Sequence, residues 1–162
     1  MDIVDCLLKT HGELRGSLES LTVLLGSPRG VGWDDQSALD KEKFSRELAE
    51  FLSVFKAHEA VEDAFLSRVV RQIDPDPDLD AAITEGHRSL ESLTRIFGVV
   101  AASCDGEHVH GVRTALGRLR EELETHLAYE EESVFPRLRS CLRAGLLQEL
   151  GRRASLMTAR RP

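Results

Sequence analysis

Cysteine, tryptophan and tyrosine are scarce in this chain: three, one and one among 162 residues, with aromatics at 5%. Cys6, Cys104 and Cys141 are odd in number and follow no paired metal spacing. That excludes a disulfide-stapled scaffold and a zinc knuckle, and a reducing cytoplasm is the expected compartment. No apolar run approaches the ~20 residues of a bilayer span. Residues 1–6 carry two acids in place of the basic start of a signal peptide. No segment alternates Val, Ile and Thr between tight turns, so strands are not expected. Positive charge is also in deficit: 21 Lys and Arg against 28 Asp and Glu give a net charge of −7. Nucleic acid and membrane surfaces are therefore not expected partners. Residues 152–161 are locally basic, with four arginines, and read as a solvated tail.

What remains is a chain rich in charge (30%) and ordinary in hydrophobic content (41%), long enough for one helical domain over residues 1–162. Its apolar residues recur at steps of three and four, the period of a helix with one buried face. Helix 1, about residues 3–25, has the stripe Ile3, Leu7, His11, Leu14, Leu18, Leu21, Leu25. Gly26, Pro28, Gly30 and Gly32 break the chain, and Trp33 in that loop is expected to cap one end of the core. Helix 2, about residues 39–73, carries Phe44, Leu48, Phe51, Phe55, His58, Glu62, Phe65, Val69 and Ile73. Pro75 and Pro77 stop it. Helix 3, about residues 79–103, aligns Ile83, His87, Leu90, Thr94, Phe97 and Ala101. After a turn at Asp105-Gly106, helix 4 carries Val112, Leu116, Leu119, Leu123, His126, Glu130 and Val134 until Pro136 kinks or ends it. The predicted architecture is an all-α, antiparallel up-and-down four-helix bundle with a core over about residues 3–140. A short fifth helix at 141–155 and a tail at 156–162 follow.

The anomaly lies on the stripes. Four histidines and two glutamates occupy positions where the pattern calls for leucine. A single core histidine is commonly just hydrogen-bonded packing, but an isolated buried carboxylate costs several kcal/mol. Here each stripe glutamate follows a stripe histidine by one turn, which places the pair on one helix face. Antiparallel neighbours allow depth to be counted from each shared turn, and Glu62, His87 and His126 come out at nearly one level. The long loop after helix 1 leaves the offset of His11 open. Four imidazoles and two carboxylates converging in a core can hold a pair of cations while leaving coordination positions open. Such a donor set suits iron or manganese better than a closed zinc site.

The order of lone His, His-x3-Glu, lone His, His-x3-Glu over four helices resembles the hemerythrin-like (HHE cation-binding) domains. On helix 2 the chain reads Phe55-Lys56-Ala57-His58-Glu59-Ala60-Val61-Glu62. On helix 4 it reads His126-Leu127-Ala128-Tyr129-Glu130-Glu131-Glu132-Ser133-Val134-Phe135-Pro136, similar to that family's His-x3-Glu-Glu run into Phe-Pro. The resemblance spans about residues 3–150. A ferritin-like site would need Glu-x-x-His pairs, which the stripe histidines lack. The resemblance implies a non-haem di-iron centre, oxo- or hydroxo-bridged, bound by His11, His58, Glu62, His87, His126 and Glu130. Glu62 and Glu130 would span both irons.

The chain departs from the oxygen-carrying members. They place a second histidine four residues after the helix 3 ligand, where this chain has Glu91, and a His-x4-Asp on helix 4, where it has His-x3-Glu. Simple oxygen carriage is therefore not implied. Glu59, directly after His58, and Glu91 are candidates for an extra ligand, and Tyr129 for a redox neighbour of the centre. Phe55 and Phe65 are expected to wall the site, while His108 and His110 read as surface residues. The expected function is binding of, or reaction with, a small oxidant (O2, H2O2 or NO), peroxide decomposition and stress protection included. An iron- or oxygen-sensing or iron-donating module without turnover is the alternative.

Overall fold

The computed structural model describes residues 1–25, 38–73, 77–102 and 109–159. They form six α-helices: α1 Ile3–Leu25, α2 Ala38–Ile73, α3 Pro77–Ala102, α4 Val109–Tyr129, α5 Phe135–Cys141 and α6 Ala144–Thr158. A π-helical turn, Glu130–Val134, joins α4 to α5. Strands are absent among the described residues. None of the described helices is long and apolar enough to cross a membrane. Trp33, Cys104, His108 and the Asp105-Gly106 turn lie outside the described residues.

The expected four-helix bundle with its additional C-terminal helix is what forms. Side-chain contacts fix the antiparallel order. Arg113, near the start of α4, donates from Nε to the Leu25 carbonyl at the end of α1 over 2.8 Å, while His11 meets Glu131 past the end of α4. Phe44 and Phe97 join the early part of α2 to the late part of α3 at a ring separation of 6.4 Å. At its N-terminus, α1 is closed by a reciprocal cap: Asp5 donates its backbone N–H to Asp2 Oδ1 (2.8 Å) and Asp2 returns one to Asp5 Oδ2 (3.1 Å).

Helix 4 does not end at Pro136. The π turn ends at Val134, two residues ahead of it, and the helical path continues through α5 to Cys141. Proline has no N–H and its ring presses on the carbonyl of the residue four back, here Glu132. Widening by one residue accommodates both constraints: the Phe135 N–H reaches Glu130 O, a five-residue spacing. The path breaks at Leu142, whose backbone is extended. The fifth rod, α6, packs on α1 and α2. Arg152 and Arg153 lie on this helix and donate to Glu149 at 2.8–3.0 Å, so the first part of the presumed basic tail is helical. Gly151 sits so close to α1 that an added Cβ would lie 2.5 Å from the Asp2 carbonyl carbon. A side chain there is incompatible with the observed docking.

All seven predicted stripe positions of α1 are buried. The bundle interior divides into two apolar clusters. One is centred on Leu14, Leu18, Leu21, Phe51, Phe55, Leu90, Phe97, Leu119 and Leu123. The other gathers Ile3, Leu7, Val61, Leu66, Ile83, Val134, Phe135 and Leu138, with Leu147 and Ala154 from α6. Along each of the four bundle helices the chain passes from one cluster to the other through the polar stripe residues: Leu7–His11–Leu14, Phe55–His58–Glu62–Leu66, Ile83–His87–Leu90 and Leu123–His126–Glu130–Val134. The site is thus a polar layer between two hydrophobic ones.

Candidate metal centre

The fold brings all six anomalous stripe residues into that layer. Donor atoms of His11, His58, Glu62 and Glu130 lie within 4.8 Å of one another, and so do those of Glu62, His87, His126 and Glu130. Both glutamates belong to both groups. Glu62 turns Oε1 toward His58 Nε2 (3.0 Å) and Oε2 toward His87 Nε2 (2.9 Å). Glu130 turns Oε2 toward His11 Nε2 (3.3 Å) and His58 Nε2 (4.0 Å), and Oε1 toward His126 Nε2 (3.3 Å). Each carboxylate therefore offers one oxygen to each pair of imidazoles. The imidazoles themselves are packed edge to face: His11 with His58 at 4.9 Å between centroids, and His87 with His126 at 5.0 Å.

Burial makes this arrangement costly without a cation. His11, Glu62 and Glu130 are fully buried, His58 and His126 nearly so, and only His87 retains 13% side-chain exposure. His11 Nε2, His58 Nε2, Glu62 Oε1 and both Glu130 oxygens have no hydrogen-bond partner, nor does His58 Nδ1. Buried polar atoms are almost always paired, and orphans of this kind call for a specific cause. Apart from His58 Nδ1, these atoms are the ones that face the shared interior. Two clustered His/Glu groups with the donor chemistry to coordinate a metal ion are present.

The electrostatics of the layer's own side chains are correspondingly strained. Burial, together with neighbouring His58, pushes His11 down to about 4. Burial does the same for His126, also to about 4, against an upward pull from Glu62. Both rings are thus neutral near pH 7, the form that ligates metals. Burial works to raise Glu62, but His58 and His87 outweigh it and hold this carboxyl well below its usual range. Glu130 is pushed well above that range by burial and by the charge of Glu62. Two buried carboxylates that share a site cannot both stay ionised without a cation. His87 is lowered by burial but raised overall by its bond to Glu62.

One helper of the cluster was not evident from the sequence. His11 Nδ1, the ring nitrogen facing away from the layer, lies 2.7 Å from Glu131 Oε1. Arg15 donates from Nη1 to the same oxygen (2.8 Å) and from Nε to Glu124 Oε2 (2.9 Å). The equivalent nitrogen of His87 has a looser neighbour, Asp63 Oδ1 at 3.5 Å. A second helper is a glycine. A Cβ placed on Gly86 would lie 2.4 Å from His126 Nδ1 and 3.0 Å from its Cε1, so the ring rests against the bare backbone of α3. The sequence signals were a mid-helix glycine beside a candidate ligand, and an arginine one turn after His11.

The remaining candidates fall outside the two groups. Glu59 is half-buried, and burial, opposed by His87 and reinforced by Glu62, raises it to about 7. Glu91 is exposed, as is His110. Tyr129 is half-buried and packs against the apolar cluster on the Phe135 side. Phe55 is buried next to Phe51, in a stacked pair at 6.1 Å, and Phe65 is half-buried in the opposite cluster. Phe135 approaches the layer more closely, its ring 5.3 Å from that of His11. Cys6 is buried and Cys141 exposed, both as free thiols.

Residues 78–155 match the family model described as Hemerythrin HHE cation binding domain. No curated protein and no solved structure gives a significant match. The matched segment supplies His87, His126 and Glu130, and the first two helices, outside it, supply His11, His58 and Glu62. With the cluster and the four-helix scaffold in place, the match establishes that a hemerythrin HHE cation-binding domain is present in this chain.

Proposed function

We propose that this protein holds two non-haem iron ions in the polar layer and uses them to bind, or react with, a small oxidant such as O2, H2O2 or NO. His11 and His58 would serve one ion, His87 and His126 the other, with Glu62 and Glu130 common to both. The observation that carries this reading is the split of each glutamate's oxygens between the two histidine pairs. A closed structural zinc site uses four ligands on one ion and has no need of shared carboxylates. When bound, such an ion pair supplies redox chemistry and open coordination positions for a small ligand. The chain's own part is to hold four imidazoles in place, His11 and His126 among them as neutral rings, and to supply anionic oxygen. The Phe51, Phe55 and Leu123 layer on one side and Phe135 and Val134 on the other keep bulk water away. Ligands larger than a few atoms do not fit a layer so fully enclosed.

The two groups are unequal. Every member of the His11 group is buried, whereas His87 is partly exposed at the α2–α3 seam. We assign access for the small ligand to the His87 side. The test is aerobic purification, metal analysis and a near-ultraviolet spectrum, followed by addition of peroxide. Near two irons per chain with an oxo-bridge band is the expected result. Gas evolution then identifies peroxide turnover, and bleaching without turnover identifies the sensing or iron-donating alternative. Folded protein that takes up no iron refutes the proposal.

A further inference from the structure

We propose that Glu131 is a positioning residue for His11, fixing its tautomer and ring orientation from outside the layer so that Nε2 faces Glu130. His11 is fully buried, and its Nδ1 lies 2.7 Å from Glu131 Oε1. An ionised carboxylate only accepts hydrogen bonds, so Nδ1 must carry the proton and donate it. The lone pair of the neutral ring then resides on Nε2. That atom is buried, has no hydrogen-bond partner and stands 3.3 Å from Glu130 Oε2. Glu131 is itself held: the Arg15 guanidinium contacts the same oxygen at 2.8 Å and anchors through Nε to Glu124 at 2.9 Å. Arg15 sits one turn beyond His11 on α1, and Glu124 two turns before Glu131 on the α4 path, so the network cross-links the two helices at the level of the layer.

Two of the other three imidazoles lack such a partner among the described residues. His58 Nδ1 has no hydrogen-bond partner among the described residues, and His87 Nδ1 has only the 3.5 Å approach of a largely exposed Asp63. The π turn begins at Glu130, and Glu131 is its second residue. One consecutive pair of glutamates thereby serves two directions, Glu130 inward and Glu131 sideways to α1. Outer carboxylates of this kind set the tautomer of a ligating histidine and raise its basicity. The inference rests on the proposed metal reading for its consequence, though the tautomer is a property of the metal-free chain.

Both are measured on the full chain. Long-range 1H–15N correlation of histidine-labelled, metal-free protein reads the tautomer, and anaerobic titration with iron(II) reads affinity. In the parent, His11 is expected as the Nδ1–H form. Glu131→Ala should shift it toward Nε2–H and weaken iron(II) binding roughly 10–100-fold. In Glu131→Gln, the amide oxygen still accepts from Nδ1–H, so the parent tautomer is restored with most of the affinity. An Nδ1–H tautomer retained in Glu131→Ala with unchanged affinity overturns the proposal. Glu131→Ala leaves the buried His11 Nδ1 without its acceptor, and Glu131→Gln, which keeps one, separates that cost from the choice of tautomer. If the parent takes up no iron, the metal reading fails, and the tautomer comparison still decides the role of Glu131.

Discussion

Replacing Gly86 with alanine separates the fold from the site. An alanine Cβ there would stand 2.4 Å from His126 Nδ1, with Cε1 at 3.0 Å and Cγ at 3.4 Å. Comfortable contact between such atoms begins near ~3.5 Å, so the ring must retreat by about 1 Å. Cγ, on the axis of the last side-chain bond, is already at contact distance, so the ring escapes by turning about that bond, which swings Nδ1 and Cε1 away from the new methyl and re-aims Nε2. Metal–ligand distances tolerate only about ±0.2 Å. The expected consequence is loss of His126 as a donor and a drop of at least about tenfold in affinity for the ion it shares with His87, the scale on which outer-sphere disturbances already act. Stability moves much less. Alanine gains up to ~1 kcal/mol of helix propensity over glycine, while forced repacking costs about 1–3 kcal/mol. The net change is at most about 2 kcal/mol. Gly117, on α4, has nothing within 4 Å of the same added atom, so Gly117→Ala is the control. Iron(II) titration paired with thermal unfolding reads both quantities. Parent-like binding of both ions by Gly86→Ala would show that the ring's seat against α3 is irrelevant to the site, and the geometric reasoning fails.

Other expectations concern ligands, docking and pH. Glu62→Ala and Glu130→Ala should each abolish most bound iron, since either glutamate serves both groups, whereas His110→Ala should leave metal content unchanged; equal content in all three refutes the assignment. Gly151→Ala should lower the melting temperature by forcing α6 off the Asp2 backbone, a cost of about 1–3 kcal/mol, without altering metal stoichiometry; an unchanged melting curve contradicts the close approach. Metal binding should release protons from Glu130, which burial and Glu62 push well above its usual range, and from His87, raised by its bond to Glu62. His11 and His126, at about 4, are already deprotonated and contribute none. Affinity should therefore fall as pH is lowered through the raised Glu130 and His87 and fall further toward pH 4. Calorimetry in buffers of different ionisation enthalpy counts the protons, and a count of zero rejects this electrostatic picture.

Burial is what made the site legible in the sequence. In α1, each residue of the heptad-like stripe from Ile3 to Leu25 is buried, so a histidine among leucines at His11 was informative by position alone. The same holds for His58, Glu62, His126 and Glu130. In α2 the stripe drifted: Leu66 is fully buried while Phe65 is half-buried, because the strict four-three alternation from Phe44 to Phe65 averages 3.5 residues and slips by about 20° per heptad against a 3.6-residue helix. The helpers were hidden for a different reason. Glu131, Arg15 and Glu124 are partly exposed charges, which sequence reading assigns to solvent, and their meeting depends on the lateral register of α1 against α4. Gly86 required knowing which ring lies opposite. The π turn was half visible: Pro136 marked a disturbance, but the helix widened ahead of the proline instead of stopping.

The central claim is a pair of iron ions sharing Glu62 and Glu130. Anomalous diffraction at the iron edge from crystals of the aerobically purified protein addresses it most directly. The account predicts two peaks in the polar layer, one beside His11 and His58 and the other beside His87 and His126, with both glutamates reaching each. A single peak served by one histidine pair, or none in a folded bundle, would contradict it.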